Sequence, residues 1–518
     1  MDPSALPPAV RPFLDPSFYP HPVERVDVLQ THISYVFLAG DYAYKVKKAV
    51  DFGFLDYSTL PRRRYYCRRE VELNRRYCPH VYLGVAAVRE EDGRLSLDGR
   101  GRPVEYAVKM RRVPEGRMLH RLLEAGRATS DMLAAVARRL AEAHAEAPTG
   151  PHVGRYGTWA IAYAWRENFQ QWQDFVGETI TPQQDALLRG YVLWFLRRRR
   201  PLLRLRAAQG RVRECHGDLR SESVVVWPDG SVCIMDCIEF SRRLRYTDVA
   251  GDVAFLAMDL EFRGRPDLAE AFVAAYLEAS GDSGLTGVLD FYRCYRAAVR
   301  GKVEGLLLRQ PEVPPREREA ALARARRYFD LACRYAARDW PALLITCGLA
   351  GSGKSTLAAA LGLPVVSSDV VRKELAGLAP DQPARAPWQR GLYAPSFTRR
   401  TYAEMLSRAE ALLRDGKWAV LDATFLRRWQ REAARRLARQ QGVRFLCLEL
   451  RADDELVRRR LSGREGAGGP SDADWQIYLR QKEALEPPDE LPPEERLVLD
   501  ASWPPQEQAA AVRRALGL

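Results

Sequence analysis

The sequence predicts a two-domain protein of mixed class. An α+β first part sets short strands ahead of a helical region, and a parallel-sheet α/β domain follows it. Three observations carry this. The chain has 518 residues, more than a single core normally supports. Residues 26 to 113 alternate β-like runs such as SYVFLAG, YAYKVKK and VEYAVKMRRV with turn signals at Gly40-Asp41 and Gly99-Arg100-Gly101, whereas residues 129 to 335 are mostly helical. From Ala342 the order becomes strand, glycine loop, helix, strand, helix, the alternation of a parallel sheet. The boundary is placed near Asp339 to Pro341, giving domains 1–339 and 340–518.

Within the helical region Met132, Leu133, Val136, Leu140 and His144 recur at helical spacing, with Thr129 or Ser130 placed to cap. A β-rich insertion, CHGDLRSESVVVWPDGSVCIMDCIEF, interrupts the helices, and a long Arg/Ala helix from about Arg316 to Arg338 leads into the second domain. The composition is globular, 47% hydrophobic and 28% charged. No apolar run is long enough for a bilayer, so no membrane association is expected. The Pro-rich start MDPSALPPAV lacks the basic and apolar regions of a secretory signal, and a cytoplasmic protein is expected. Nine cysteines include no CxxC pair and no zinc spacing, which predicts reduced core thiols. The net charge of +13 would suit nucleic acid, but the excess is spread over both halves without an aromatic-interleaved basic block. Anionic small substrates account for it as well, and nucleic acid is the less favoured partner. Oligomeric state is not legible.

The strongest signal is the run Gly348-Leu349-Ala350-Gly351-Ser352-Gly353-Lys354-Ser355, between the apolar strand Leu343–Cys347 and a helix beginning near Thr356. That context makes it a Walker A loop: glycines let backbone N–H groups wrap phosphates, Lys354 reaches the β- and γ-phosphates of ATP, and Ser355 offers an oxygen to Mg²⁺. Asp369 follows the strand Val365-Val366 beside this loop, where a carboxylate can take the proton of an acceptor hydroxyl. Arg372, one turn on, can hold a phosphate. Asp422 ends the apolar strand that starts at Trp418 and suits a Walker-B-like Mg²⁺ contact. Arg460 and Arg464 precede the glycine-rich stretch Gly466–Gly469, the composition of a mobile lid that clamps a transferring phosphoryl group. These motifs, GLAGSGKST, SSDVVRKEL, VLDATF and RRRLSGREGAGGPSDA, resemble the small P-loop kinases (AAA-type ATP-binding) related to polynucleotide kinase and zeta toxin. The resemblance implies phosphoryl transfer from ATP to a hydroxyl, with Asp369 as base.

In the first domain, His216-Gly217-Asp218 lies shortly before Ser223 and the strand-end Asp236. Kinase catalytic loops space their base and metal-binding carboxylates this way, with Asp218 accepting the hydroxyl proton and Asp236 holding Mg²⁺. The HGD run, IMDCIEF and DVAGDVAFLAMDLE resemble the aminoglycoside phosphotransferase family over roughly residues 25 to 335. This implies a protein-kinase-like fold with a β-rich small lobe and a helical large lobe. It also implies a strand lysine for the ATP phosphates and a helix glutamate paired with it: Lys45, with Lys47 on the same face as runner-up, and Glu70. His216 is expected to brace the loop, and Asp248 and Asp252 to fix loops by hydrogen bonds. Where the family usually has Asn, Ser223 stands as the candidate second Mg²⁺ ligand, and the glycine-rich phosphate loop of protein kinases is missing, its nearest counterpart being Thr31–Ser34. The pairing of the two domains resembles fused bacterial kinases. The expectation is an ATP- and Mg²⁺-dependent bifunctional kinase acting on small hydroxyl-bearing molecules. The alternatives are a nucleotide-binding pseudokinase regulating the P-loop half, and a polynucleotide 5′-hydroxyl kinase.

Overall fold

The computed structural model describes residues 6–53, 55–379, 382, 389–463 and 474–518. The chain forms two compact units, Met1–Asp185 with Arg198–Ala332, and Ala186–Arg197 with Cys333–Leu518. The second unit takes up the long helix Pro315–Asp339 from Cys333 onward and includes the earlier stretch Ala186–Arg197. The end of that helix bonds within the second unit: Asp339 accepts from the Tyr191 hydroxyl at 2.7 Å, and the Ala337 carbonyl accepts from Arg444 at 2.6 Å.

The first unit opens on an antiparallel six-stranded sheet of β1 (Val26–Gln30), β2 (Ser34–Ala39), β3 (Tyr42–Lys47), β4 (Tyr82–Glu91), β5 (Arg94–Leu97) and β6 (Arg102–Arg111). Its order is β1-β2-β3-β6-β4-β5. The two-residue period of a strand divides β3 between two faces. Tyr44 and Val46 join Phe13, Phe37, Val88 and Ala107 in one core layer. Ala43 joins Cys67, Val71, Tyr82 and Val108 in the other, which takes in residues of the helix Leu60–Arg75. Lys45 and Lys47 share the face of Ala43, and both reach Glu70 of that helix.

Helices make up most of the rest of this unit. Ser130–Glu146 is capped as expected, the Thr129 hydroxyl accepting from the Met132 N–H. The helix Ala250–Phe262 is buried along nearly its whole length. Two small antiparallel pairs lie among the helices. One joins β7 (Val212–Glu214) to β10 (Tyr246–Asp248), and the other joins β8 (Val224–Val226) to β9 (Val232–Ile234). The loop with Asp218 runs from β7 to β8, and Asp236 follows β9.

The cysteine expectation needs one correction. Cys78 and Cys233 are joined in a disulfide, with Cα atoms 4.7 Å apart. The partners are 155 residues apart in sequence, so no local spacing announces the pair. The other seven cysteines form no disulfide.

The second unit holds a parallel sheet of β11 (Ala342–Cys347), β12 (Val365–Ser367), β13 (Ala419–Asp422), β14 (Arg444–Arg451) and β15 (Arg496–Asp500). Its order is β12-β13-β11-β14-β15. β11 is buried at all six positions, as a central strand covered on both faces must be. From β11 the chain passes to β12 and β13 on one side of it and then crosses to β14 and β15 on the other. The carboxyl end of β11 is therefore the switch point where open α/β sheets bind ligands. The mixed class of the first unit and the parallel P-loop class of the second agree with the expectation. Among the described residues no helix is long and apolar enough to cross a membrane.

Candidate active sites

In the second unit the loop after β11 turns through Gly348, Gly351 and Gly353, all at positive φ (149°, 76° and 93°). A Cβ on Gly348 would sit 2.8 Å from the Leu450 carbonyl oxygen, so a side chain there would collide with backbone. The helix Lys354–Ala360 starts directly after Gly353, two residues earlier than expected. Lys354 Nζ donates to the loop's own Leu349 carbonyl at 2.7 Å. The side chain thus folds over the cradle, where it would meet phosphate oxygens.

Asp369 stands in the first turn of the helix Ser368–Leu375. Asp422 ends β13, is buried, and lies within 3.4 Å of the Thr346 hydroxyl. Burial pushes the Asp369 carboxyl above its usual range. The negative charge of Asp422 adds to this, while Arg372 and Lys354 oppose it. One cavity of about 360 Å³ is lined by Gly351, Lys354, Ser355, Asp369, Arg372 and Asp422. Ser355, Asp422 and Asp369 supply only oxygen donors, the set a hard divalent cation such as Mg²⁺ takes.

Arg372 is 7% exposed. It donates to the Leu392 carbonyl at 2.8 Å and lies over the Tyr393 ring at 4.7 Å. Its Nε has no hydrogen-bond partner, and among the described residues no carboxylate lies within ion-pair distance. A buried guanidinium without a counter-charge is costly unless an anion supplies one.

In the first unit Lys45 lies 2.8 Å from both Glu70 Oε1 and Asp236 Oδ1. Its ammonium holds the Asp236 carboxyl below the usual range. Lys47 is fully buried against Glu70 and Glu239. Of the two lysines it is Lys45 whose ammonium stands beside the exposed Asp236. Asp218 is half-exposed in its loop, near Arg220 at 3.7 Å. His216 braces that loop: its Nε2 meets the Met235 carbonyl at 2.7 Å. Asp252 accepts the N–H groups of His216 and Gly217 at 2.7 and 2.9 Å. Burial would raise its carboxyl, but His144 and further positive charge bring it down to about 2. Asp248 accepts two bonds from Arg206 at 2.6 and 2.7 Å.

A model of the AAA domain family matches residues 343–488. The uncharacterized protein Rv2004c of Mycobacterium tuberculosis and the uncharacterized protein Mb2027c of Mycobacterium bovis are each 34% identical to this chain over 469 residues, covering 88% of it and 90% of their own length. The chain belongs to the family of these mycobacterial proteins. Solved structures similar to parts of it include two kinases. A gluconokinase from Sinorhizobium meliloti is 21% identical, covers 35% of this chain and 93% of its own, and has a TM-score of 0.25. A choline/ethanolamine kinase family protein from Mesorhizobium loti is 14% identical, covers 61% and 93%, and has a TM-score of 0.37.

In this member of the mycobacterial family, the expected site residues fall into two groups. Gly348 to Ser355, Asp369, Arg372 and Asp422 come together at the carboxyl end of the parallel sheet. Lys45, Glu70 and Asp236 come together beside the small sheet. Arg464 lies outside the described residues, as does the Gly466–Gly469 stretch. Arg460 reaches the phosphate loop, donating to the Gly351 carbonyl at 3.4 Å and to the Ala501 carbonyl at 2.8 Å. There it borders a second cavity of about 190 Å³ with Gly353, Thr356, Trp503 and Gln508.

Ser223 sits in the turn that follows the Asp218 loop. Its hydroxyl donates to the Arg220 carbonyl at 2.8 Å and accepts the Arg220 N–H at 3.1 Å. The turn therefore uses its proton and one lone pair. Ser223→Ala should destabilise the first unit by about 1 kcal/mol, the worth of an ordinary hydrogen bond, and leave the Mg²⁺ requirement of ATP turnover unchanged. Thermal unfolding and a Mg²⁺ titration of the full chain check both halves of this expectation.

Sequence reasoning missed Trp503 and Gln481. Gln481 accepts the Ala350 N–H of the phosphate loop at 2.7 Å. Both residues lie more than a hundred positions beyond the Walker loop, in segments without a motif. Trp503 is 43% exposed and lines the second cavity; a base bound there would have this ring to stack on. Trp503→Ala should raise the ATP concentration for half-maximal turnover about tenfold, as loss of one base–aromatic stack does. The rate at saturating ATP should be unchanged.

Proposed function

We propose that the protein is an ATP- and Mg²⁺-dependent phosphotransferase with two kinase-type sites, passing the γ-phosphoryl group to hydroxyls of small molecules. The observation that carries this reading is the 360 Å³ cavity, lined together by Lys354, a carboxylate raised by burial and a buried arginine whose Nε has no hydrogen-bond partner. Lys354 and the loop amides would hold the β- and γ-phosphates, and Arg460 and Trp503 the base. Asp369 would accept the proton of the acceptor hydroxyl. Ser355 and Asp422 would hold Mg²⁺, which when bound neutralises the charge shared by the phosphate oxygens. Arg372 would pair with an anionic group on the acceptor, so phosphorylated or carboxylated alcohols are the favoured class.

In the first unit Lys45 would meet the ATP phosphates, Asp236 would hold Mg²⁺, and Asp218 would take the acceptor proton. A second reading has one observation in its favour: with Ser223 engaged in its turn, this unit offers a poorer metal site than a kinase catalytic loop, and a nucleotide-binding regulatory role follows. The test is a screen of γ-labelled ATP transfer over sugars, sugar phosphates, hydroxy acids, nucleosides and oligonucleotides, run with Asp218→Asn and Asp369→Asn beside the parent chain. Loss of every product in Asp369→Asn, with no effect of Asp218→Asn, would establish the regulatory reading. Transfer confined to oligonucleotide ends would replace small molecules with nucleic acid. Neutral sugars accepted as well as their phosphorylated forms would remove the role given to Arg372.

A further inference from the structure

The helix Leu60–Arg75 and the turn after it present Glu70, Asn74 and Cys78 at intervals of four residues, a single stripe along one side. Each of the three meets the short segment that contains Asp236. Cys78 is joined to Cys233. Asn74 Oδ1 accepts the Cys237 N–H at 2.9 Å. Glu70 reaches Glu239 through Lys47, whose ammonium lies 2.6 Å from Glu70 Oε2 and also bonds Glu239 Oε1. That same oxygen accepts the Tyr57 hydroxyl.

Between these tethers Asp236 holds a left-handed backbone, φ 62°. A residue other than glycine persists there only when its surroundings over-determine it. Here four consecutive amides are captured. Met235 donates to the Ser223 carbonyl at 2.7 Å, Asp236 to the Tyr82 hydroxyl at 3.1 Å, Cys237 to Asn74, and Ile238 to the His216 carbonyl at 3.1 Å. Glu70 and Glu239 are both buried, and Lys47 is the cation they share. Without it, the nearest ammonium that bonds Glu70 is Lys45, already placed on Asp236.

We propose that Asn74 and Lys47 are positioning residues for this site. Asn74 holds the backbone that aims the Asp236 carboxylate. Lys47 neutralises the two buried glutamates so that Lys45 stays beside Asp236. The proposal rests on the reading of the first unit as a Mg²⁺–nucleotide site.

The experiment uses the full chain and an acyl-phosphate analogue of ATP that acylates the lysine nearest its phosphates, with peptide mass spectrometry reading Lys45 and Lys354 separately during a Mg²⁺ titration. Asn74→Ala should raise the Mg²⁺ midpoint for Lys45 labelling about tenfold, the factor one hydrogen bond makes in an equilibrium constant. The midpoint for Lys354 should not move. Lys47→Met should reduce Lys45 labelling to a similar degree. Adding Glu239→Gln to it should bring labelling back to within about threefold of the parent, because the buried charge left unpaired is then gone. Should Lys47→Met fail to fold, Asn74→Ala and the double variant decide. Parent-like Lys45 midpoints in these variants, even with lowered unfolding temperatures, would reduce the clasp to a structural role and overturn the proposal. A parent chain in which Lys354 is labelled but Lys45 never is would remove the nucleotide reading of the first unit, and this proposal with it.

Discussion

Asp369→Asn is expected to lower transfer by the P-loop site about 10²- to 10⁴-fold, the contribution of a positioned proton acceptor, while ATP still binds. The amide keeps the shape of the carboxyl and loses its basicity. In the parent chain, transfer should rise with pH as Asp369 ionises. Burial raises that carboxyl, so the rising limb lies above the pH at which an ordinary aspartate titrates. In the variant the limb should vanish. Stability should move the other way. A carboxyl raised in the fold adds stability that is fully present below its unfolded pKa and is lost as pH climbs through its folded one. The asparagine variant escapes that loss, so at neutral pH the second unit should unfold at an equal or higher temperature. The measurements are a pH profile of transfer at saturating ATP and a thermal scan. Lost ATP affinity with parent-like transfer at saturation would make Asp369 a binding residue.

Lys354→Ala is expected to cut ATP turnover at the same site about 10²- to 10³-fold, as removal of one preorganised donor to developing charge does. The fold should survive, because the ammonium reaches over the loop to the Leu349 carbonyl and does not enter the apolar core beneath β11. ATP turnover of the full chain and circular dichroism of the variant test this together. With the contribution of the first unit subtracted by Asp236→Asn, a parent-like rate in the lysine variant would remove the P-loop assignment. Asp236→Asn by itself should abolish the contribution of the first unit and leave that of Lys354 intact.

How much was legible differs between the two sites. Gly348 to Ser355 form one contiguous strand–loop–helix, and the chemistry of that loop lives in its own backbone amides. Asp369 and Asp422 follow apolar runs that become β12 and β13, adjacent parallel strands with Ser367 beside Asp422. An apolar run ending in a carboxylate is enough to put them at one end of a parallel sheet. Lys45 and Lys47 could not be separated in this way. They are two residues apart on one strand face and both bond Glu70, so the strand period treats them alike. Burial separates them, and burial belongs to Glu239 and Tyr57, which arrive from elsewhere in the chain. The sequence gives no sign that the Ser223 hydroxyl also closes a turn on Arg220 three residues back.

By itself, then, the sequence determined what local pattern determines: two kinds of domain, the Walker loop, the carboxylates at strand ends, and the spacing from His216 through Asp218 to Asp236. The tertiary structure alone decided that Lys45 and not Lys47 faces Asp236, that Arg372 is buried, that Trp503 and Gln481 border the phosphate loop, and that Cys78 meets Cys233 across 155 residues. The physical reason is range. Backbone cradles and strand periodicity act over a few residues and leave a mark in neighbouring letters. Desolvation, counter-charge and side-chain pairing are set by whichever atoms the fold brings within a few ångströms, wherever they stand in the chain.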